Sequence, residues 1–196
     1  DFFKNKNIAL FLQGGSSLEY GSNNNKNFEN DFCKPNSFYG KTKLNATKYI
    51  QESRLNHVVL RLYQVYGPHQ KVNRIIPLAI TQLQKNLIFK STSGLQLRDF
   101  LYIDDLTDLI IKIIKKKKKV YGIFNVGFGQ PITIKKLLSR IKNIYGGTIL
   151  FGKEKMRKEE SKILYPSINK IKKNYKWIPK IKISTGLKRT IKFYEK

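Results

Sequence analysis

The chain has 196 residues, 40% of them hydrophobic, and its 12 Phe and 11 Tyr supply the bulk of a real core, which excludes a disordered tail. The formal net charge of +26 is high, but Lys is spread along the chain among Ile and Asn rather than gathered with aromatics, so a nucleic-acid surface is disfavoured. A single cysteine, Cys33, excludes an internal disulfide framework, and a reduced, cytoplasmic setting is the default.

Asp1 leads straight towards the apolar run Ile8–Leu12, which is far too short to span a bilayer. A core element so close to the first residue suggests a missing N-terminal segment. Residues 7–13 read as a buried parallel strand ended by Gly14-Gly15-Ser16-Ser17. A polar, Asn-rich loop follows. Ser37 then caps a helix whose apolar residues Leu44, Tyr49 and Ile50 recur at roughly helical spacing. Val58–Tyr63 is the next buried strand, and strand–helix–strand in this order implies a right-handed parallel crossover. Arg74–Asn86 reads as a helix with Pro77 in its tolerant first turn. Leu97–Ile103 reads as a strand, Asp104 as the cap of an apolar helix to Ile114, and Lys115–Lys119 as that helix's solvated end. A short strand at Ile123–Val126 precedes an amphipathic helix from Thr133 to about Ile144. Beyond Gly152 the sequence is Lys-rich, with a short helix near Ile168–Tyr175, a stop at Trp177-Ile178-Pro179 and a last helix from Ser184. The fold expected is α/β: an incomplete, Rossmann-like, doubly wound parallel sheet with a small mixed C-terminal lobe. Residues 1–72 would be the C-terminal part of a dinucleotide-binding domain. Residues 73–196 would be mainly a substrate lobe, with segments near 97–126 returning to the first domain.

Two pieces of chemistry stand out. Tyr39 and Lys43 lie four apart on one helix face. A phenol with a pKa near ~10 is a poor proton carrier at neutral pH, and a nearby ammonium favours its ionised form. Ser16 and Ser17 stand just past a buried strand, where open α/β sheets bind ligands. There a serine can hydrogen-bond a substrate oxygen, or simply satisfy the turn's own backbone. Only His57 and His69 are available, so no histidine-based metal site or triad is expected.

Together, Ser16-Ser17-x-x-Tyr20-Gly21, Tyr39-x-x-x-Lys43, Leu60–Pro68, Arg98–Leu106 and Phe124–Gly127 resemble the extended short-chain dehydrogenase/reductases of nucleotide-sugar metabolism. The resemblance runs from about Ile8 to Asn143. It implies that Ser16, Tyr39 and Lys43 are catalytic, and that Tyr39, Lys43 and Tyr63 serve an NAD or NADP cofactor. It also implies that Ser17, Gln64, Arg74 and Arg98 bind a nucleotide-diphosphate sugar, Arg98 through the diphosphate, for which a guanidinium fork is suited. The plainer alternative for Arg98 is an ion pair with Asp99 or Asp104. Asn73 and Ile76-Pro77 would frame the base, and Asp99 and Asp105 would be caps or hydrogen-bond partners.

The departures matter as well. The family's GxxGxxG turn for the cofactor pyrophosphate is absent from this chain, and Gly14-Gly15 does not replace it. The 4,6-dehydratases of the family carry Asp-Glu directly after the catalytic Thr, where this sequence has Ser17 and Leu18. Glu19 falls one position late, so dehydration is disfavoured and a 4-epimerase or a 4-ketoreductase remains. The other readings are a non-catalytic remnant of such an enzyme and, less favoured, a basic nucleic-acid-binding protein. A homodimer through the helix from Ser37 is expected by resemblance for the whole protein.

Overall fold

A computed structural model describes residues 8–22, 24–53, 55–116 and 121–195. In chain order these form β1 (Phe11–Ser16), a 3₁₀ turn (Ser17–Glu19), β2 (Lys26–Asn27), α1 (Phe38–Glu52), β3 (His57–Leu62) and β4 (Gln64–Tyr66). Next come α2 (Ile75–Gln84), β5 (Phe89–Ser91), β6 (Leu97–Arg98), β7 (Phe100–Tyr102), α3 (Ile103–Lys115) and β8 (Gly122–Val126). The chain continues through β9 (Ile132–Thr133), α4 (Ile134–Tyr145), β10 (Ile149–Phe151), β11 (Ile163–Pro166), α5 (Asn169–Tyr175) and α6 (Ile183–Tyr194).

The central sheet is parallel in the order β1-β3-β8, with Ser16 level with Leu62, and Leu62 level with Val126. Alternation along β3 divides its side chains between two faces. Val58 and Leu60 join Leu106 and Leu109 of α3, Ile171 and Tyr175 of α5, and Trp177 in one apolar cluster. Val59 and Arg61 point to the opposite face, on the side where α1 packs against β1 and β3. A second cluster belongs to the C-terminal lobe, where α2, α4 and α6 bury Ile80, Leu137 and Leu187 together with Phe89 and Phe100.

The helix starts follow the capping chemistry of the sequence. The side chains of Ser37 and Thr133 accept the N–H groups of Gly40 and Lys136. Asp104 is not the cap of α3: Tyr102 occupies that position without a side-chain bond, and Asp104 stands within the first turn, paired with Arg189 at 3.1 Å. Its neighbour Asp105 accepts the N–H groups of Lys180 and Ile181, both at 2.9 Å, and so ties the approach of α6 to α3.

Three further expectations are corrected. Among the described residues β1 starts at Phe11, leaving Ile8–Leu10 outside the strand while residue 7 lies outside the described residues, and it continues through Gly14-Gly15 to Ser16, since a parallel partner satisfies the backbone that glycine exposes. Tyr49 is 60% exposed, because the helix turns Leu44, Thr47 and Ile50 inward instead. Leu97–Ile103 is not one strand. It breaks at the buried Asp99, with β6 pairing β11 and β9 while β7 pairs β4. Lys115 ends α3 as expected, and Lys117–Lys119 lie outside the described residues.

Trp177 is fully buried and donates its Nε1–H to the Asp105 carbonyl at 3.2 Å, whereas Ile178 is 50% exposed. Trp177→Ala is expected to cost about 3–5 kcal/mol in urea denaturation, and Ile178→Ala about 0.5 kcal/mol or less.

Candidate active site

The carboxyl ends of β1, β3 and β8 converge on a buried polar network. Ser16, the last residue of β1, is extended, and its Oγ accepts the Leu18 N–H at 3.2 Å, opening the 3₁₀ turn. Its own N–H donates to Glu19 Oε1 at 2.8 Å. Glu19 has no solvent exposure, and its other oxygen accepts Arg61 Nε–H at 2.9 Å. The Arg61 guanidinium lies over the Tyr20 ring, 4.6 Å from the centroid. Tyr20 in turn donates to Asn125 Oδ1 at 2.7 Å, and burial pushes its phenol up to about 12. Asn125 donates through Nδ2 to the Asn27 carbonyl, and Asn27 Oδ1 accepts the Tyr63 hydroxyl at 2.8 Å.

α1 seats directly on this turn. A Cβ at Gly40 would lie 2.5 Å from the Leu18 carbonyl oxygen, so only glycine allows the approach. The packing brings the first turn of α1, with Tyr39, beside the turn that begins at Ser16. Lys43 Nζ donates to the Gly14 carbonyl of β1 at 2.8 Å and stands 5.7 Å from the centroid of the Tyr39 ring, which is 53% exposed. Ser16, Tyr39 and Lys43 thus share one corner at the end of β1. The polar ends of Tyr39 and Lys43 suit a ribose hydroxyl or a substrate oxygen.

The other expected residues are placed less uniformly. Ser17 is buried in the turn. Gln64 opens β4, and its N–H bonds to the Asp99 carbonyl at 3.1 Å. Arg74 is exposed at the start of α2, without a side-chain cap bond. Tyr63 faces inward: it is 5% exposed, its hydroxyl is committed to Asn27, and burial raises its pKa far above the ordinary phenol value. Its side chain packs with Tyr20 and Leu164.

Arg98 is 6% exposed and pairs with neither Asp99 nor Asp104. Its partner is Glu160 at 2.7 Å, with the Ser161 and Leu97 carbonyls also accepting from it. Burial draws the Arg98 pKa down, and Glu160 offsets part of that effect. Asp99 is a structural partner, as expected: Oδ1 accepts the Phe128 N–H, and Oδ2 is buried with no hydrogen-bond partner among the described residues. Ser161 Oγ donates to the Gly21 carbonyl at 3.0 Å, and Asn36 Nδ2 donates to the Glu159 carbonyl at 2.8 Å. Residues 159–161 are thereby latched across the end of the sheet.

Sequence reasoning missed Glu160, Asn125 and the Glu19–Arg61 pair. One signal could have found the pair: an arginine inside the apolar run 58–63 must meet a carboxylate or leave a buried charge bare.

With this architecture in view, residues 1–127 match the family described as the NAD dependent epimerase/dehydratase family, and the chain belongs to that family. A Bacillus subtilis protein named as an uncharacterized UDP-glucose epimerase is 31% identical over 193 residues, which cover 95% of this chain and 60% of that protein. The CDP-abequose synthase of Salmonella typhimurium is 29% identical over 152 residues, covering 74% of this chain and 50% of the synthase. The crystal structure of UDP-glucuronic acid 4-epimerase from Bacillus cereus, in complex with UDP-glucuronic acid and NAD, superposes with a TM-score of 0.91 at 26% identity. That match covers 98% of this chain and 63% of the epimerase. The α/β fold read from the sequence is the fold of these relatives, of whose length this chain spans 50–63%.

Burial raises the Asp99 pKa from 3.8 to about 6, while the Phe128 N–H acts in the opposite sense. The folded protein therefore binds this proton more tightly than the unfolded chain does. The resulting stability is fully present below pH 4 and is lost as pH rises through about 6. Relative to Asp99→Asn, the wild type is expected to lose roughly 2 kcal/mol between pH 4 and 7, read from urea titrations across that range.

Proposed function

We propose that this chain is the proton-transfer and sugar-binding part of an NAD(P)-dependent nucleotide-sugar 4-epimerase or 4-ketoreductase. The observation that carries the reading is the corner where α1 rests on the Ser16–Glu19 turn, with Lys43 bonded to Gly14 of β1 beside Tyr39. A nicotinamide cofactor, when bound, takes or supplies the hydride at the sugar carbon. Tyr39 accepts the proton of the sugar hydroxyl as that carbon is oxidised, and returns it on reduction. Lys43 holds positive charge beside the ring and offers N–H donors to a ribose. The Ser16 hydroxyl, whose oxygen already accepts from Leu18, keeps its own proton for the sugar oxygen.

Dehydration is disfavoured on two counts. Leu18 cannot abstract a proton, and the carboxylate of Glu19 is turned inward and spent on Arg61 and the Ser16 amide. Gln64 and Arg98 are the proposed contacts to the diphosphate, with Arg98 exchanging Glu160 for a phosphate oxygen. Arg74 would act from the rim. Residues 1–72 and 73–196 remain the proposed division, with strand and helix segments near 97–126 returning in part to the first. Pairing of two copies in the whole protein is proposed through α1, whose outer face carries Phe38 at 86% exposure and Tyr49 at 60%. Among the described residues no helix is long and apolar enough to cross a membrane, and a cytoplasmic setting is proposed from the single cysteine.

Tyr39→Phe in the whole protein is expected to lower kcat by about 100-fold or more while leaving cofactor affinity within a few-fold. Steady-state turnover of a UDP-sugar together with cofactor titration checks both. Unchanged turnover in the variant would overturn the mechanism.

A further inference from the structure

We infer that Glu19 is a positioning residue for Ser16, acting as an internal clamp held in turn by Arg61. The inference rests on the reading that the Ser16 hydroxyl meets the substrate oxygen, and it adds a residue to that site. Ser16 closes β1, and its N–H donates to Glu19 Oε1 at 2.8 Å. Glu19 Oε2 receives Arg61 Nε–H at 2.9 Å, with the two side chains 0% and 4% exposed. Arg61 is itself fixed, donating through Nη1 to the Glu29 carbonyl at 3.3 Å and lying over the Tyr20 ring. A Cβ at Gly15 would stand 2.7 Å from Glu19 Oε1, so the backbone beside Ser16 has been left bare where the carboxylate comes in.

The consequence is that both ends of Ser16 are fixed. Its amide is anchored by a carboxylate without access to water, and its Oγ is aimed by the Leu18 N–H. A hydroxyl held from two sides loses little freedom on meeting a substrate, and small errors in such placement cost a great deal in rate. Glu19→Gln is nearly isosteric but presents only one acceptor oxygen. Its amide nitrogen must face either the Ser16 N–H or the Arg61 Nε–H, donor against donor, so one anchor is lost.

The test is a double-mutant cycle in the whole protein, with UDP-glucose and UDP-glucuronic acid as substrates. Glu19→Gln is expected to lower kcat by about 10- to 100-fold with KM within about twofold. In a Ser16→Ala background the same change is expected to alter kcat by less than about twofold, because the residue through which it acts is already gone. Equal losses in both backgrounds, or an unchanged kcat in the single variant, would overturn the clamp and assign Glu19 to general stability. Should Glu19→Gln fail to fold, Arg61→Lys takes its place, since it keeps the charge but loses the planar seat on Tyr20. If the wild type turns over neither sugar, or Ser16→Ala matches it, the functional reading fails instead. Hydrogen exchange of the Ser16 amide in this chain then decides the clamp: slow exchange abolished by Glu19→Gln upholds it, and exchange unaffected by that change overturns it.

Discussion

Glu19 and Arg61 meet at the carboxyl ends of β1 and β3 with almost no exposure to water, and the working face of the molecule is assembled around their contact. Breaking a buried ion pair from one side leaves a bare charge in a poorly solvated place, a loss of about 3–5 kcal/mol. From this pair the bonding runs outward in both directions. On one side it reaches the Ser16 amide and hence the turn against which α1 packs. On the other it passes through the Tyr20 ring to Asn125 at the end of β8, and from there to Asn27 and Tyr63. Three parallel strands, a helix start and the polar segment around β2 are registered by hydrogen bonds joined through the Arg61–Tyr20 ring contact and the close seat of Gly40 on the turn. Such a set is rigid only when its members are satisfied, and most of these polar atoms have partners.

In the proposed function, the residues of this single turn help to steer the chemistry. Here position 18 is Leu, and the carboxylate of Glu19 has been drawn into the interior to serve the scaffold. What remains at the corner is the exposed Tyr39 phenol, the Lys43 ammonium and the largely buried Ser16 hydroxyl, the groups to which the proposed function assigns proton transfer and a ribose contact. Arg98 belongs to a second layer of the same face, where it is paired with Glu160. The latch of residues 159–161 onto Gly21 and Asn36 connects that layer to the start of α1.

Much of the architecture was legible because local chemistry and tertiary structure agree. Ser37 and Thr133 cap the helices they announce, and the apolar runs at β3 and β8 became the central strand and an edge strand of one parallel sheet. The motifs that placed Tyr39, Lys43 and Ser16 in one corner were equally readable, since spacing on a helix and position after a strand fix direction. What could not be read were choices between equivalent partners. Arg98 had carboxylates adjacent in sequence, yet it pairs with Glu160, 62 residues away, because Asp99 turns towards the Phe128 amide. Leu97–Ile103 is apolar enough for one strand, but a buried carboxylate at its centre splits it between two sheets. Tyr49 obeys helical spacing only approximately, and the approximation put it on the wrong face.

The proposed function has this face recognise a nucleotide diphosphate through Arg98 rather than attract anions by bulk charge. The most direct measurement is an NMR titration of the chain with UDP at physiological salt, following the Arg98 guanidinium and the amides of Ser16, Gln64 and Ser161. The account predicts saturable shifts at these groups, abolished by Arg98→Gln and only modestly weakened by added salt. Shifts scattered over exposed lysines, indifferent to Arg98→Gln and fading steeply as salt rises, would contradict it.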